Sequence, residues 1–286
     1  MTDQKFALST HFFGNRTLEP DLFRLVRDYG IEAVEMWGMD PQIDVSDPGE
    51  VARVARWLEK AGVRCASLHA PFWIDIYKPS FEWLSLAHPN ERIRAISVER
   101  ALCAIDAAVA LGADIVVVHG IGEFSKDSLD AAERRFRESM DKLVPKAEAA
   151  GVRLAIENII TPHSRVRFVR RFVERLGNRH VGICVDVGHA FIDDDPKRAL
   201  DAAMPYLFEV HIADNKGSED DHLIPGEGRI DWDPVWSRLK SCSSLEVATF
   251  EVMPICIAGE YSMEAFEARL ASVAQAMEEA RARVNG

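Results

Sequence analysis

The chain has 286 residues, 48% of them apolar, enough to bury a large core without disulfides or a partner. Its formal charge of −12, from 34 basic and 46 acidic residues, repels polyanions and argues against nucleic acid as a partner. No run approaches the roughly 20 apolar residues that span a bilayer, and the start MTDQKFALST lacks the basic-then-apolar pattern of a secretion signal. A soluble, cytoplasmic protein with no membrane contact is expected.

Taken in chain order, short apolar runs recur at 5–10 (KFALST), 32–37 (EAVEMW), 64–69 (RCASLH) and 114–120 (DIVVVHG). Four more follow at 153–158 (RLAIEN), 181–189 (VGICVDVGH), 206–214 (YLFEVHIAD) and 246–252 (EVATFEV). Between them lie stretches with helical spacing. Val98, Leu102, Ile105 and Val109 form one stripe ahead of Gly112, and Leu129, Ala132, Phe136, Met140 and Leu143 form another ahead of Gly151. Pro145 is expected to kink the second helix or end its regular part. Continuous apolar strands alternating with helices indicate an α/β fold with parallel strands buried on both faces. Eight such units in under 300 residues, with no linker or change of composition, favour a single (β/α)8 TIM barrel over 1–286 rather than an open sheet.

Five cysteines (Cys65, Cys103, Cys184, Cys242 and Cys256) show no CxxC or CxxH spacing and lie mostly in apolar runs, so reduced thiols are expected and a zinc finger is not. Arg165, Arg167, Arg170, Arg171 and Arg175 make the one basic run; its spacing suits the solvated face of a helix, with a basic rim as the alternative.

From the third strand onward, the runs end in metal-capable side chains: His69, His119, Glu157, Asp186 with His189, His211 and Glu251. A closed parallel barrel brings all strand ends to one mouth, so these residues meet. A carboxylate at the end of a buried strand costs on the order of several kcal/mol unless a cation or donors face it. No Lys or Arg stands beside Glu157, Asp186 or Glu251 in the sequence, so a shared divalent cation is the expected partner. Three carboxylates and an imidazole suit Mn, Mg, Co or Zn. After the seventh strand, Asp220 to Trp232 (DDHLIPGEGRIDW) reads as a loop in which Gly226 and Gly228 either open backbone N–H groups to an anion or form a tight turn. Phe12, Phe13, Trp37, Phe72 and Trp73 either wall the pocket and stack on a sugar ring or simply cap the barrel.

With these motifs in hand, the chain resembles the xylose isomerase-like TIM-barrel superfamily of sugar phosphate isomerases and epimerases, inosose-type dehydratases and endonuclease IV enzymes. The resemblance rests on HxPF from His69 to Phe72, HG at His119, EN at Glu157, DxGH from Asp186 to His189, HxxD from His211 to Asp214, DxHLxPGxG from Asp220 to Gly228 and the final Glu251, in order along nearly the whole chain. It implies one metal on Glu157, Asp186, His211 and Glu251, with Glu157 and Glu251 also moving a proton. It implies sugar contacts from His189, and His69, His222, Trp37 and Trp73 are further candidates for them. His222 stands where ketohexose 3-epimerases usually carry a sugar-binding arginine, which counts against that substrate.

The same resemblance carries a rival. His69, His119, Glu157, Asp186, His189, His211, Asp220, His222 and Glu251 also fit the three-zinc ligand set of endonuclease IV, which would make the chain a zinc phosphodiesterase with up to three Zn. The acidic charge and the scarcity of basic residues in the mouth loops favour the sugar or sugar-phosphate isomerase or epimerase, working through an enediolate on a small-molecule substrate. A dehydratase is the further alternative. Barrels of this kind often pair as homo-oligomers, though nothing in the sequence marks an interface.

Overall fold

The computed structural model describes residues 5–14, 16–74, 82–122, 128–253 and 262–286. Eight parallel strands close on themselves: β1 (Lys5–Ser9), β2 (Ala33–Trp37), β3 (Arg64–His69), β4 (Ile115–His119), β5 (Arg153–Glu157), β6 (Val181–Asp186), β7 (Leu207–Ile212) and β8 (Val247–Phe250). Each strand pairs with the next, and Lys5 to Leu8 pair with Val247 to Phe250 to shut the barrel. The expected eight-stranded TIM barrel is therefore observed. A two-stranded antiparallel ribbon, Trp73–Ile74 with Glu82–Trp83, follows β3.

Helices α1 (Pro20–Asp28), α2 (Pro48–Ala61), α3 (Glu91–Leu111), α4 (Leu129–Ala150) and α5 (Val166–Leu176) fill the first five crossovers. Then come α6 (Val187–Asp193), α7 (Pro196–Ala203), α8 (Trp232–Ser241) and α9 (Met263–Asn285). Their ends are written in the sequence. Asp47, Asn90 and Ser128 cap α2, α3 and α4 through their side chains, and Gly62, Gly112 and Gly151 end the same helices in the left-handed conformation.

One detail departs from the sequence reading, and a second removes one of the two outcomes it left open. Val109 is 53% exposed; the buried stripe of α3 runs through Val98, Ala101, Ile105 and Ala108, and a side chain one residue beyond Ala108 is carried about 100° off that face. Pro145 does not end α4, which continues to Ala150. The ring removes one N–H, but Leu143, Val144 and Ala147 are buried on both sides of it, and packing holds the helix through the missing bond.

The apolar interior has two parts. A large cluster lies between the strands and the helices, and a second, of Ala7, Ala33, Ile115, Val117, Ala155 and Val247 among others, is contributed by strands alone and fills the barrel itself. Cys65, Cys184 and Cys242 are buried and Cys103 is half-buried; Cys256 lies outside the described residues. The arginine run sits on and beside α5. Arg170 pairs with Glu174 at 2.8 Å and Arg165 with Asp193 at 3.9 Å, while Arg175 reaches Glu133, so acidic neighbours occupy it as a solvated face rather than a basic rim. Among the described residues, no helix is long and apolar enough to cross a membrane.

Candidate active site

Side chains alternate along a strand, so the residues two positions beyond the apolar filling of the barrel also point inward. On β4 Val117 is followed by His119, on β5 Ala155 by Glu157 and on β6 Cys184 by Asp186. Strand register then brings chemistry side by side: Trp37 pairs with His69, His119 with Glu157 and Asp186 with His211. The mouth expected from the sequence assembles.

Glu157, Asp186, His211 and Glu251 are all buried, and each offers a donor atom such that the four lie within 4.8 Å of one another. His211 Nδ1 is 3.0 Å from Glu251 Oε2 and 3.5 Å from Glu157 Oε1. Asp186 spends Oδ1 on capping α6, where it accepts from the His189 backbone N–H at 2.6 Å. Its Oδ2 is buried with no hydrogen-bond partner, as is His211 Nδ1. Among the described residues the ion-pair partners of these carboxylates are imidazoles, not Lys or Arg. Three close carboxylates with orphaned donor atoms and no fixed cation fit a divalent metal.

Burial and polar neighbours pull the acids apart. Burial lifts the Asp186 carboxyl to about 7 against the opposing charge of His189. Burial also pushes up on Glu157 and Glu251, but the surrounding imidazoles, His211 foremost with His69 and His119 on Glu157 and His222 on Glu251, together outweigh it, holding Glu157 well below the carboxylate range and Glu251 at about 2.

A ring of further histidines surrounds this group. His69 Nδ1 donates to the Ala70 carbonyl at 3.0 Å, His189 Nδ1 to that of Asn158 at 2.8 Å and His222 Nδ1 to that of Glu251 at 2.7 Å. Each then turns Nε2 on a carboxylate: His69 on Glu157 at 3.1 Å, and His189 and His222 on the same Asp220 oxygen at 3.0 and 2.9 Å. A bare Nε2 against a carboxylate oxygen is repulsive, so a proton or a metal belongs in each gap. Burial opposes protonation of His222, but Asp220 outweighs it and lifts the imidazole to about 9. His119 Nε2 is 3.5 Å from Glu157 Oε2, its ring stacked on Phe72 with centroids 4.1 Å apart; burial lowers its imidazole to about 3.

The loop that brings Asp220 and His222 is organised from below by Asp214, which is fully buried. Its carboxylate accepts from Gly226 N at 2.9 Å, Ile230 N at 3.1 Å and Trp232 Nε1 at 3.0 Å. The Gly226 N–H is thus committed to Asp214 rather than open to an anion, and its φ of 94° suits glycine. Gly228 is packed so closely that a Cβ would lie 2.2 Å from Asp214 Oδ1. Gly226 therefore serves the turn rather than an anion cradle, and Gly228 lets the backbone pass close against Asp214. His222 itself adopts φ 46°, a conformation uncommon outside glycine, held by its bond to the Glu251 carbonyl.

Of the aromatic candidates, Trp37 and Trp73 stand edge to face at 4.9 Å, and both indole N–H groups are buried without a partner. Phe72 packs on His69 and His119. Phe12 and Phe13 are not pocket walls: both are fully buried and pack on Phe266, outside the barrel, with Phe13 also on Phe23.

Three residues escaped the sequence reading. His11, just after β1, stacks on Trp37 at 4.0 Å and lies 3.6 Å from Glu251 Oε1; the two phenylalanines beside it drew attention instead. Glu35 and Glu209 are fully buried inside the barrel, each the lone acid of an apolar strand, and that signal was available in AVEMW and LFEVHI. Burial, reinforced by the Glu35 charge, lifts the Glu209 carboxyl to about 8.

Residues 23–252 match the xylose isomerase-like TIM barrel family, and the chain belongs to that family. Among curated relatives, it is 25% identical over 227 residues to L-ribulose-5-phosphate 3-epimerase of Shigella flexneri, covering 76% of each chain. It is 30% identical to an uncharacterised protein of Methanocaldococcus jannaschii over 58% of this chain, and spans only 60% of that protein's length. Among solved structures, the IOLI protein with a bound zinc atom superposes with a TM-score of 0.75 at 19% identity over 98% of both chains, a likeness of fold.

Proposed function

We propose that the chain is a divalent-metal-dependent isomerase or epimerase of a sugar or sugar phosphate. The observation that carries this reading is the placing of two carboxylates, Glu157 and Glu251, on one imidazole, His211 Nδ1, at 3.5 and 3.0 Å, with the orphaned Asp186 Oδ2 alongside. The epimerase activity of the Shigella relative and the acidic net charge support it.

Glu157, Asp186, His211 and Glu251 would hold the cation. Once bound, a divalent ion supplies Lewis acidity, polarising a carbonyl and stabilising the negative charge that develops on the sugar oxygens. The chain's own work is proton transfer. One of the two glutamates removes the proton from the carbon beside the carbonyl, giving an enediolate, and the other returns it. Return to the opposite face inverts a centre; return to the neighbouring carbon, with a hydroxyl proton passing between the two oxygens, interconverts aldose and ketose. The unpartnered indole N–H groups of Trp37 and Trp73 are donors for sugar hydroxyls, and His69, His189 and His222 orient the remainder.

A specific observation favours a second reading. His69, His189 and His222 all fix Nδ1 on a backbone carbonyl and present Nε2 to a carboxylate, which is how further metal ligands are held. With His119 and Asp220 they could complete a multinuclear zinc phosphodiesterase. Metal content per chain, measured after dialysis against Mn and Zn, separates the two. One ion per chain, with solvent deuterium entering a ketose or its phosphate, supports the isomerase. Two or three zinc ions with phosphodiester cleavage and no exchange favour the second reading. No bound metal overturns both.

A further inference from the structure

The barrel interior does not turn apolar immediately beneath the four-residue cluster. Glu35, from the middle of β2, and Glu209, from the middle of β7, are fully buried there, and neither has a part in the proton transfer. Glu209 Oε1 accepts from Ser67 Oγ at 2.8 Å and from the Thr249 hydroxyl. Glu35 has a different partner: its Oε2 lies 3.1 Å from His211 Nε2, and both side chains are fully buried. A buried carboxylate without a role is an expensive thing to keep in a barrel.

An imidazole has two nitrogens facing opposite ways, and as a metal ligand it carries one proton. With Nε2 aimed at a carboxylate, the proton belongs on Nε2. The lone pair is then on Nδ1, the atom that faces Glu157 and Glu251 and has no hydrogen-bond partner. His211 is the odd one of the site. His69, His189 and His222 donate Nδ1–H to backbone carbonyls and present Nε2, whereas His211 is turned the other way round and held by a carboxylate. A charge-assisted bond is roughly twice as strong as one to a neutral carbonyl and pushes more electron density to the far nitrogen.

We propose that Glu35 is a positioning residue that fixes the tautomer and orientation of His211 and raises its strength as a metal ligand. This rests on the metal-site reading above. Glu209 shares the pocket, since Glu35, Glu209 and His211 have donor atoms within 4.8 Å of one another, but Ser67 and Thr249 hold it and it does not set the tautomer.

The test compares Glu35→Gln, Glu35→Asp and Glu209→Gln with the wild type, using Co²⁺ as the probe. Glu35→Gln should weaken Co²⁺ binding by about 10–100-fold and shift its visible absorption. Glu35→Asp should recover part of the loss, and Glu209→Gln should leave the affinity near wild type. Equal affinity and spectrum in Glu35→Gln would overturn the proposal. So would an equal loss in Glu209→Gln, which would make the lower acids a cation site of their own. Proton NMR gives a readout free of metal: the His211 Nε2–H should be downfield and slow to exchange in the wild type, with or without Co²⁺, and lose that shift in Glu35→Gln. Wild-type protein that shows this proton yet takes up no Co²⁺ would sink the metal-site reading while upholding the Glu35–His211 pairing; absence of the proton would sink the pairing.

Discussion

The two ends of the barrel interior are built by one rule and come out opposite. Near the strand starts the inward positions are Ala7, Ala33, Ile115, Ala155 and Val247, small or branched apolar residues that fill the bore. At the strand ends the same alternation delivers His69, His119, Glu157, Asp186, His211 and Glu251. The lowest residues carry no side-chain polar atom; above them Glu35 Oε1 and Glu209 Oε2, and then Asp186 Oδ2, are buried without a hydrogen-bond partner. A slip of one residue in any strand would turn its inward side chains, upper and lower alike, out toward the helices.

That division is open to test at both ends. Glu251→Gln is the sharpest change at the mouth: it keeps the shape of the side chain and removes the base, so turnover should fall by about 10²–10⁴-fold while thermal unfolding of the metal-free protein scarcely moves. Steady-state kinetics beside a melting curve reads both, and an active Glu251→Gln enzyme would remove this residue from the proton transfer. Ile115→Ala is the converse. The side chain is fully buried in the lower layer, and its loss should cost about 2–5 kcal/mol of unfolding free energy by denaturant titration. Metal per chain should be unchanged; a variant that lost metal as well would mean the two layers are not separable.

Chelation probes the mouth through stability. A ligand that binds only the folded state stabilises it by mass action, about 3–4 kcal/mol when free metal stands at 100 to 1,000 times its Kd. Stripping it should lower the unfolding midpoint, and the drop should be smaller in Asp186→Asn, which has already lost part of the ligand set. An unchanged midpoint on chelation would detach the metal from this cluster.

How far the sequence revealed these layers depends on what each residue had to signal. Strands buried on both faces read as apolar runs, so the eight strands and their closure were legible, and so were Glu157, Asp186, His211 and Glu251, because an acid or imidazole at a strand's end breaks the run visibly. His11 was hidden by its place in THFF, after a strand whose end it does not mark. Glu35 and Glu209 were visible as letters but not as partners, since the pairing of Glu35 with His211 joins residues 176 apart and exists only once the barrel closes. The orphaned Asp186 Oδ2 likewise depends on which oxygen the α6 cap consumes, a matter of geometry alone.

The smallest expected effect lies at the rim, where the loop bearing His222 is tied to the outer helices. Glu227 accepts from Arg269 Nη2 of α9 at 2.8 Å and from the Ile224 backbone N–H at 3.0 Å. The Arg269 hydrogen bond, with burial opposing, holds the Glu227 carboxyl below its ordinary value. A carboxyl with a lowered folded pKa contributes stability that is fully present above its unfolded value, about 4.3, and is lost as pH falls through the folded one. Because the Glu227 side chain is 42% exposed, solvent screening keeps the contribution to about 1 kcal/mol or less. Glu227→Gln should therefore be slightly less stable than wild type near neutral pH, with the gap closing as the pH falls below the ordinary carboxylate value. A gap that stayed constant with pH would assign the effect to packing of the loop on α9 rather than to the charge. The rim would then resemble the apolar layer below the site more than the charged one it borders.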